Sequence, residues 1–126
     1  MNDARDPNTL LPLPPASYHI LLALAGTERH GYAIMQEIER ATDGRMRLRS
    51  GTLYRSIHQM LEAGLIAEVD ERPDPALDDE RRRYYRLTGF GERVARAESW
   101  RLAALLEQAR AKRLLPADNE LAPDEA

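Results

Sequence analysis

Apolar residues recur at helical spacing in two early segments of the chain. Residues 17–25 and residues 31–42 each place apolar side chains three and four positions apart, as in Ile34 and Ile38. This spacing predicts two amphipathic helices. Two prolines at 14 and 15 suit the first turn of the first helix, where a missing N–H is tolerated. Gly26 is predicted to end the first helix, and the second is predicted to end near Gly44.

A third helix is predicted to begin with Ser50 as its cap and to end before Gly64. Its apolar residues fall at i, i+4, i+7 and i+8 and form one stripe: Leu53, Ile57, Met60 and Leu61. A strand over residues 65–72, a polar loop over 72–80 and a return strand over 82–87 follow. The predicted fold class is therefore mostly α with a small β-hairpin, in the order of a winged helix-turn-helix domain.

Thr88 is the predicted cap of a last helix, which covers residues 89–114 and stops before Pro116. Its broad apolar face consists of Val94, Ala97, Trp100, Leu102, Leu105, Leu106 and Ala109. Because the first three helices already fill one core, we expect a second copy of the chain to cover this face. The predicted organisation is a disordered tail 1–13, a winged helix-turn-helix domain 14–88, a dimerisation helix 89–114 and an acidic disordered tail 115–126.

Composition narrows the function classes. The chain of 126 residues has a net charge of −3, no cysteine and three histidines. We find no nucleophile–base pair, no metal-ligand spacing and no glycine-rich phosphate loop, so we expect neither an enzyme nor a cofactor. The longest apolar run is too short to span a membrane, and the amino terminus lacks the order of a secretory signal. We expect a cytoplasmic protein.

The charge that matters for a nucleic acid is local. Seventeen of the eighteen basic residues are arginine, which suits phosphate and guanine edges, although a GC-rich codon bias gives the same excess. Opposite its apolar stripe, the third helix presents Thr52, Arg55, Gln59 and Glu62, with Tyr54 and Ser56 flanking. Arginine can read guanine and glutamine adenine in a major groove. The alternative is an ordinary solvated helix face.

A second basic cluster lies on the return strand. Strand alternation places Tyr85 and Leu87 toward the core and turns Arg82 and Arg86 outward, where they can contact a DNA backbone. Ion pairing with the acids at 78–80 is the alternative role for these arginines.

Four motifs resemble the PadR family of bacterial transcriptional regulators. They read HGYAI at 30–34, GTLY at 51–54, LEAGLI at 61–66 and RYYRLT at 83–88 with Gly91, and the resemblance covers residues 16–112. It implies a winged helix-turn-helix domain, a dimer through the C-terminal helix, and repression of a neighbouring gene that a small molecule relieves. It also implies that Tyr54 and its surroundings meet DNA and that the wing follows the backbone.

We therefore expect a homodimer that binds double-stranded operator DNA, with no membrane partner. The expected DNA contacts are Tyr32, Arg49, Ser50, Thr52, Tyr54, Arg55, Ser56, Gln59, Arg82 and Arg86. Trp100, the only tryptophan, could stack on a small planar aromatic effector at the dimer interface; plain packing is the alternative role. The alternative function is a winged-helix module that binds protein instead of DNA, which the net negative charge and the acidic loop at 74–80 favour.

Overall fold

Four α-helices and three short strands make up residues 4–69 and 83–116, the part of the chain that this computed structural model describes. In chain order they are α1 (Pro15–Ala23), β1 (Arg29–His30), α2 (Gly31–Ala41), α3 (Ser50–Glu62), β2 (Ile66–Glu68), β3 (Tyr84–Leu87) and α4 (Gly89–Ala111). The predicted fold class, mostly α with a small antiparallel sheet, is confirmed.

The sheet has three strands in the order β1-β3-β2, and both pairings are antiparallel. Tyr85 of β3 lies opposite Arg29 of β1 on one side and Glu68 of β2 on the other. The sequence pattern missed β1, because two residues are too few to show an alternation. The predicted loop at 72–80 and Arg82 lie outside the described residues.

One apolar core joins all four helices to the sheet. Its fully buried side chains include Ile20 and Leu21 of α1, Ile34 of α2, Leu53 of α3 and Val94 of α4. The stripe predicted for α3 faces this core, with Leu61 half-buried at its edge. The core therefore fixes which side of α3 is turned outward.

The N-termini of α3 and α4 are capped in different ways. Arg49, not Ser50, is the N-cap of α3, and its side chain makes no capping hydrogen bond. Ser50 is the first helical residue, so the prediction of a serine cap is wrong. Thr88 does cap α4: its hydroxyl accepts from the Gly91 N–H at 2.9 Å and donates to the Gly64 carbonyl at 2.6 Å.

The prediction that residues 1–13 are a disordered tail is wrong for residues 4–13. A 3₁₀ helix, Pro7–Leu10, packs on α4, and the Arg5 guanidinium lies 3.9 Å from the centre of the Phe90 ring. Arg5 also donates to the Ala63 carbonyl at 2.8 Å, at the end of α3. The segment thus connects α3 to α4 without contributing to the sheet.

Glu98 is a buried acid on α4, with 2% of its surface exposed. Its carboxylate accepts from the Leu13 N–H at 3.1 Å and from two Arg101 nitrogens at 2.6 and 3.0 Å. The Arg101 hydrogen bonds hold the pKa of Glu98 below its usual value. Glu98 therefore anchors the N-terminal segment as a charged group.

The second half of α4 extends beyond the core. Trp100 is 77% exposed, and Leu105 and Leu106 are each 47% exposed. Within the described ranges, no helix is long and apolar enough to cross a membrane.

Candidate nucleic-acid interface

A tight turn after α2 directs the chain into α3. Thr42 stabilises this turn, since its hydroxyl donates to the Ile38 carbonyl at 2.8 Å and accepts from the Met46 N–H at 3.0 Å. Asp43 and Gly44 have positive φ angles of 53° and 77°. Glycine adopts this left-handed conformation without steric strain. The chain then runs without regular secondary structure to Arg49, whose own backbone is extended.

Exposure alternates along residues 45–49. Arg45, Arg47 and Arg49 are exposed, whereas Met46 and Leu48 are half-buried and pack against the core. The α2–α3 connection therefore carries three arginines along its outer edge, directly before the first turn of α3.

The outer face of α3 brings together four of the ten residues expected to contact DNA. Ser50, Arg55 and Gln59 are exposed, and Thr52 is half-buried. Thr52, Arg55 and Gln59 follow one another at i, i+3 and i+7, so they lie on one side of the helix. No acidic residue lies in the first turn of α3. This end of the helix is suited to a negatively charged partner.

Ser56 departs from the expectation. It is only 9% exposed, because it stands three residues after Leu53 and one before Ile57 and so falls within the buried stripe. The expectation that its hydroxyl reaches phosphate or base edges is wrong for this conformation.

Tyr54 attaches α3 to the start of α2. A Cβ added to Gly31 would lie 2.9 Å from Cε1 of the Tyr54 ring, so only glycine allows this approach. The Tyr54 hydroxyl is buried. This position is better suited to holding α3 in its orientation than to contacting DNA directly. Tyr32, the next residue of α2, is 51% exposed.

The base of the wing presents Arg86. Tyr85 is buried and Arg86 is exposed, as strand alternation predicts. The Arg86 guanidinium donates to the Leu87 carbonyl at 3.2 Å. Arg83 forms an ion pair with Glu68 across the two strands at 3.7 Å. Arg82 cannot be placed, since it lies outside the described residues.

His30 connects the sheet to α2. Its Nδ1 accepts from the Ala33 N–H at 3.1 Å and so caps α2. Its ring packs edge-on against Tyr84 of β3, with 5.4 Å between the ring centres. The base of the wing and the start of α2 are thereby held together.

Trp100 stands between two grooves on the exposed side of α4. The larger has a volume of about 590 Å³ and is lined by residues of α1, β3 and α4, among them Leu22, Leu87 and Ala103. The smaller, of about 360 Å³, is lined by α4 alone and includes Leu106. Both grooves are open apolar surface beside the half of α4 that extends beyond the core.

The family model that describes the PadR-like transcriptional regulators matches residues 20–97, which is more than half of the chain. The match runs from α1 through α3 and the base of the wing into α4, and so includes the surfaces described above. The chain belongs to the PadR-like family. No curated protein matches the sequence.

Solved structures of PadR-like proteins share the fold. A PadR-like transcription factor from Bacteroides fragilis is 26% identical, with a TM-score of 0.60, over 75% of this chain and 86% of that one. A transcriptional regulator from Clostridium thermocellum is 25% identical, with a TM-score of 0.58, over 74% and 86% of the two chains. Bacillus subtilis PadR in complex with operator DNA is 20% identical, with a TM-score of 0.58, over 68% of this chain and 46% of that one.

The PadR-like family consists of transcriptional regulators and not of enzymes. Within residues 4–69 and 83–116, no group of histidine, aspartate and glutamate side chains is arranged to hold a metal ion. This member presents an arginine-lined connection, a polar face on α3 and an exposed apolar second half of α4.

Proposed function

We propose that the protein is a sequence-specific DNA-binding repressor that acts as a homodimer in the cytoplasm. The observation that carries the proposal is the outer face of α3, where Thr52, Arg55 and Gln59 form one row beside the exposed arginine edge of the α2–α3 connection. The row would read base edges in the major groove, and the arginines would fix the register on phosphates.

The wing would supply a further backbone contact. Arg86 is exposed on β3 and is suited to a phosphate. Arg82, two residues earlier on the same predicted face, is proposed to act with it. The complex of Bacillus subtilis PadR with operator DNA supports the same use of this fold. Repression is the mode of regulation that the resemblance to the PadR family implies.

The competing function is a winged-helix module that binds a protein. The net charge of −3 favours it, whereas the exposed arginines beside α3 oppose it. A salt titration separates the two, because each phosphate contact releases counterions and affinity falls steeply as salt rises. Salt-independent affinity for duplex DNA, or none at low salt, would leave the protein-binding module as the better assignment.

Arg55→Ala tests the reading of bases. The substitution should cost about 1–3 kcal/mol per half-site on DNA selected by the pure protein and much less on random duplex. Lys112→Ala removes another exposed cation, at the far end of α4, and should leave both affinities unchanged. Fluorescence anisotropy with both duplexes measures the difference. An equal loss of affinity for both duplexes would show that Arg55 contacts only phosphate and reads no base.

A small planar aromatic molecule is proposed as the effector, and Trp100 as its stacking partner. The tryptophan is 77% exposed and lies between two apolar grooves. Such a ligand would act by preferring a dimer whose recognition helices are wrongly spaced for DNA.

Trp100 is the only tryptophan, so its emission reports binding at this place alone. We expect a phenolic or heteroaromatic inducer to quench the emission and to release DNA over the same concentration range. Release without any change in emission, with an equal response in Trp100→Ala, would place the effector elsewhere.

A further inference from the structure

Glu39 of α2 holds one of the three arginines on the outer edge of the α2–α3 connection. The Arg47 Nε lies 3.3 Å from the Glu39 carboxylate, and both side chains are open to solvent, at 71% and 49% exposure. Arg45 and Arg49 form no ion pair with any residue in the described ranges 4–69 and 83–116. Arg47 is therefore the arginine of this edge that an internal acid draws back toward α2.

The same helix offers an internal comparison. Glu37, two residues before Glu39, pairs with Arg40 at 2.6 Å and lies 3.8 Å from Arg29. These two arginines stand on α2 and β1, not on the connection that leads into α3. The two acids thus carry the same charge at neighbouring positions of one helix, but only Glu39 engages the arginine edge.

We propose that Arg45, Arg47 and Arg49 form a phosphate-contact edge, and that Arg47 exchanges Glu39 for a DNA phosphate when the protein binds. The inference rests on the proposed DNA-binding function. It adds a contact in which the protein's own Glu39 competes with DNA phosphate for Arg47. Carboxylate and phosphate bind the guanidinium through the same planar donors, so Arg47 cannot satisfy both fully.

Two physical features suit the edge to this role. Arg45, Arg47 and Arg49 are exposed at alternate positions, so neighbouring members are at most about 7 Å apart along the backbone and their guanidinium groups can reach neighbouring phosphates. An ion pair between two exposed side chains is weak, so the exchange needs little free energy. Glu39 then tunes affinity without blocking binding.

The first experiment measures the salt dependence of binding to a duplex of random sequence, which needs no knowledge of the operator. Arg47→Gln and Arg45→Gln should each lower the slope of log K against log salt by about 0.9 for each subunit on the DNA. Arg40→Gln, an exposed and ion-paired arginine of α2, is the matched control and should leave the slope unchanged. Circular dichroism melts check that every variant is folded.

The second experiment isolates the exchange. Glu39→Gln should tighten binding about two- to fivefold, the range that an exposed ion pair of this kind is worth. In the Arg47→Gln background the gain should fall to the level that loss of one negative charge gives by itself, because the acid then has no arginine to withhold. Glu37→Gln removes the same charge from the same helix and should give a smaller gain that does not depend on Arg47.

The outcomes separate this inference from the proposed function. If the parent protein binds random duplex with a steep salt slope but both edge variants keep that slope, the phosphate edge is overturned and DNA binding stands. If Glu39→Gln tightens DNA binding as much in the Arg47→Gln background as in the parent, Glu39 acts only through long-range repulsion of DNA. The proposed exchange is then overturned. If the parent binds no duplex at low salt, the proposed function fails, and this inference fails with it.

Discussion

Gly91→Ala should destabilise the protein by about 3 kcal/mol, the largest loss that we expect from adding a single methyl group. A Cβ at this position would lie 2.8 Å from the Leu65 carbonyl carbon and 3.2 Å from its Cα, and closer still to the carbonyl oxygen. Leu65 cannot withdraw, because its N–H donates to the Met60 carbonyl at 2.9 Å and its oxygen accepts from the Thr88 N–H at 3.1 Å. The first turn of α4 would have to move away from the end of α3.

Gly89→Ala is the matched control for this substitution. Gly89 begins the same helix, yet no heavy atom lies within 4 Å of the Cβ that alanine would add. Alanine there should be neutral or stabilising by about 0.4–1 kcal/mol, since it restricts only the unfolded chain. Urea unfolding followed by circular dichroism, at one protein concentration, measures both variants. Similar midpoints for the two variants would show that the close approach at Gly91 can be relieved.

Local patterns in the sequence predicted the elements on which function depends. The α3 stripe, the Thr88 cap and the inward side chain of Tyr85 are each fixed by neighbours within one turn or one strand. The same patterns placed Arg55 and Gln59 together on the outer face of α3. These predictions need only the helical and strand periods, and the structure agrees with them.

Such local patterns could not predict contacts between residues that are far apart in the sequence. Leu13 and Glu98 are 85 positions apart, and no periodicity links an N-terminal backbone amide to an acid in the last helix. A glutamate at a core-facing position of α4 breaks the apolar pattern, so its burial depends on Arg101 and on the folded N-terminal segment. The same limit applies to Ser56, since a small polar residue within a buried stripe carries no signal of which way it faces.

Leu106→Glu should convert a dimer into a monomer and weaken binding to a two-half-site operator by about 100- to 10,000-fold. Leu106 is 47% exposed and lines the smaller groove beside Trp100. The body of the protein does not bury it, so a charge there should leave the subunit folded. A dimer would bury it, and an unpaired carboxylate is strongly disfavoured in an apolar interface. Each subunit would then bind its half-site independently, and the affinity gained by linking the two subunits would be lost.

Gln108→Glu adds the same charge two residues further along α4, on a different side of the helix, and should leave the dimer intact. Sedimentation at micromolar concentration reports the assembly, and binding to selected DNA reports the consequence. A dimer should place its two recognition helices in major grooves about one turn of DNA apart, which predicts a near-palindromic site. A parent protein that sediments as a monomer would overturn the dimer. A monomeric Leu106→Glu with full operator affinity would show instead that one subunit recognises the site alone.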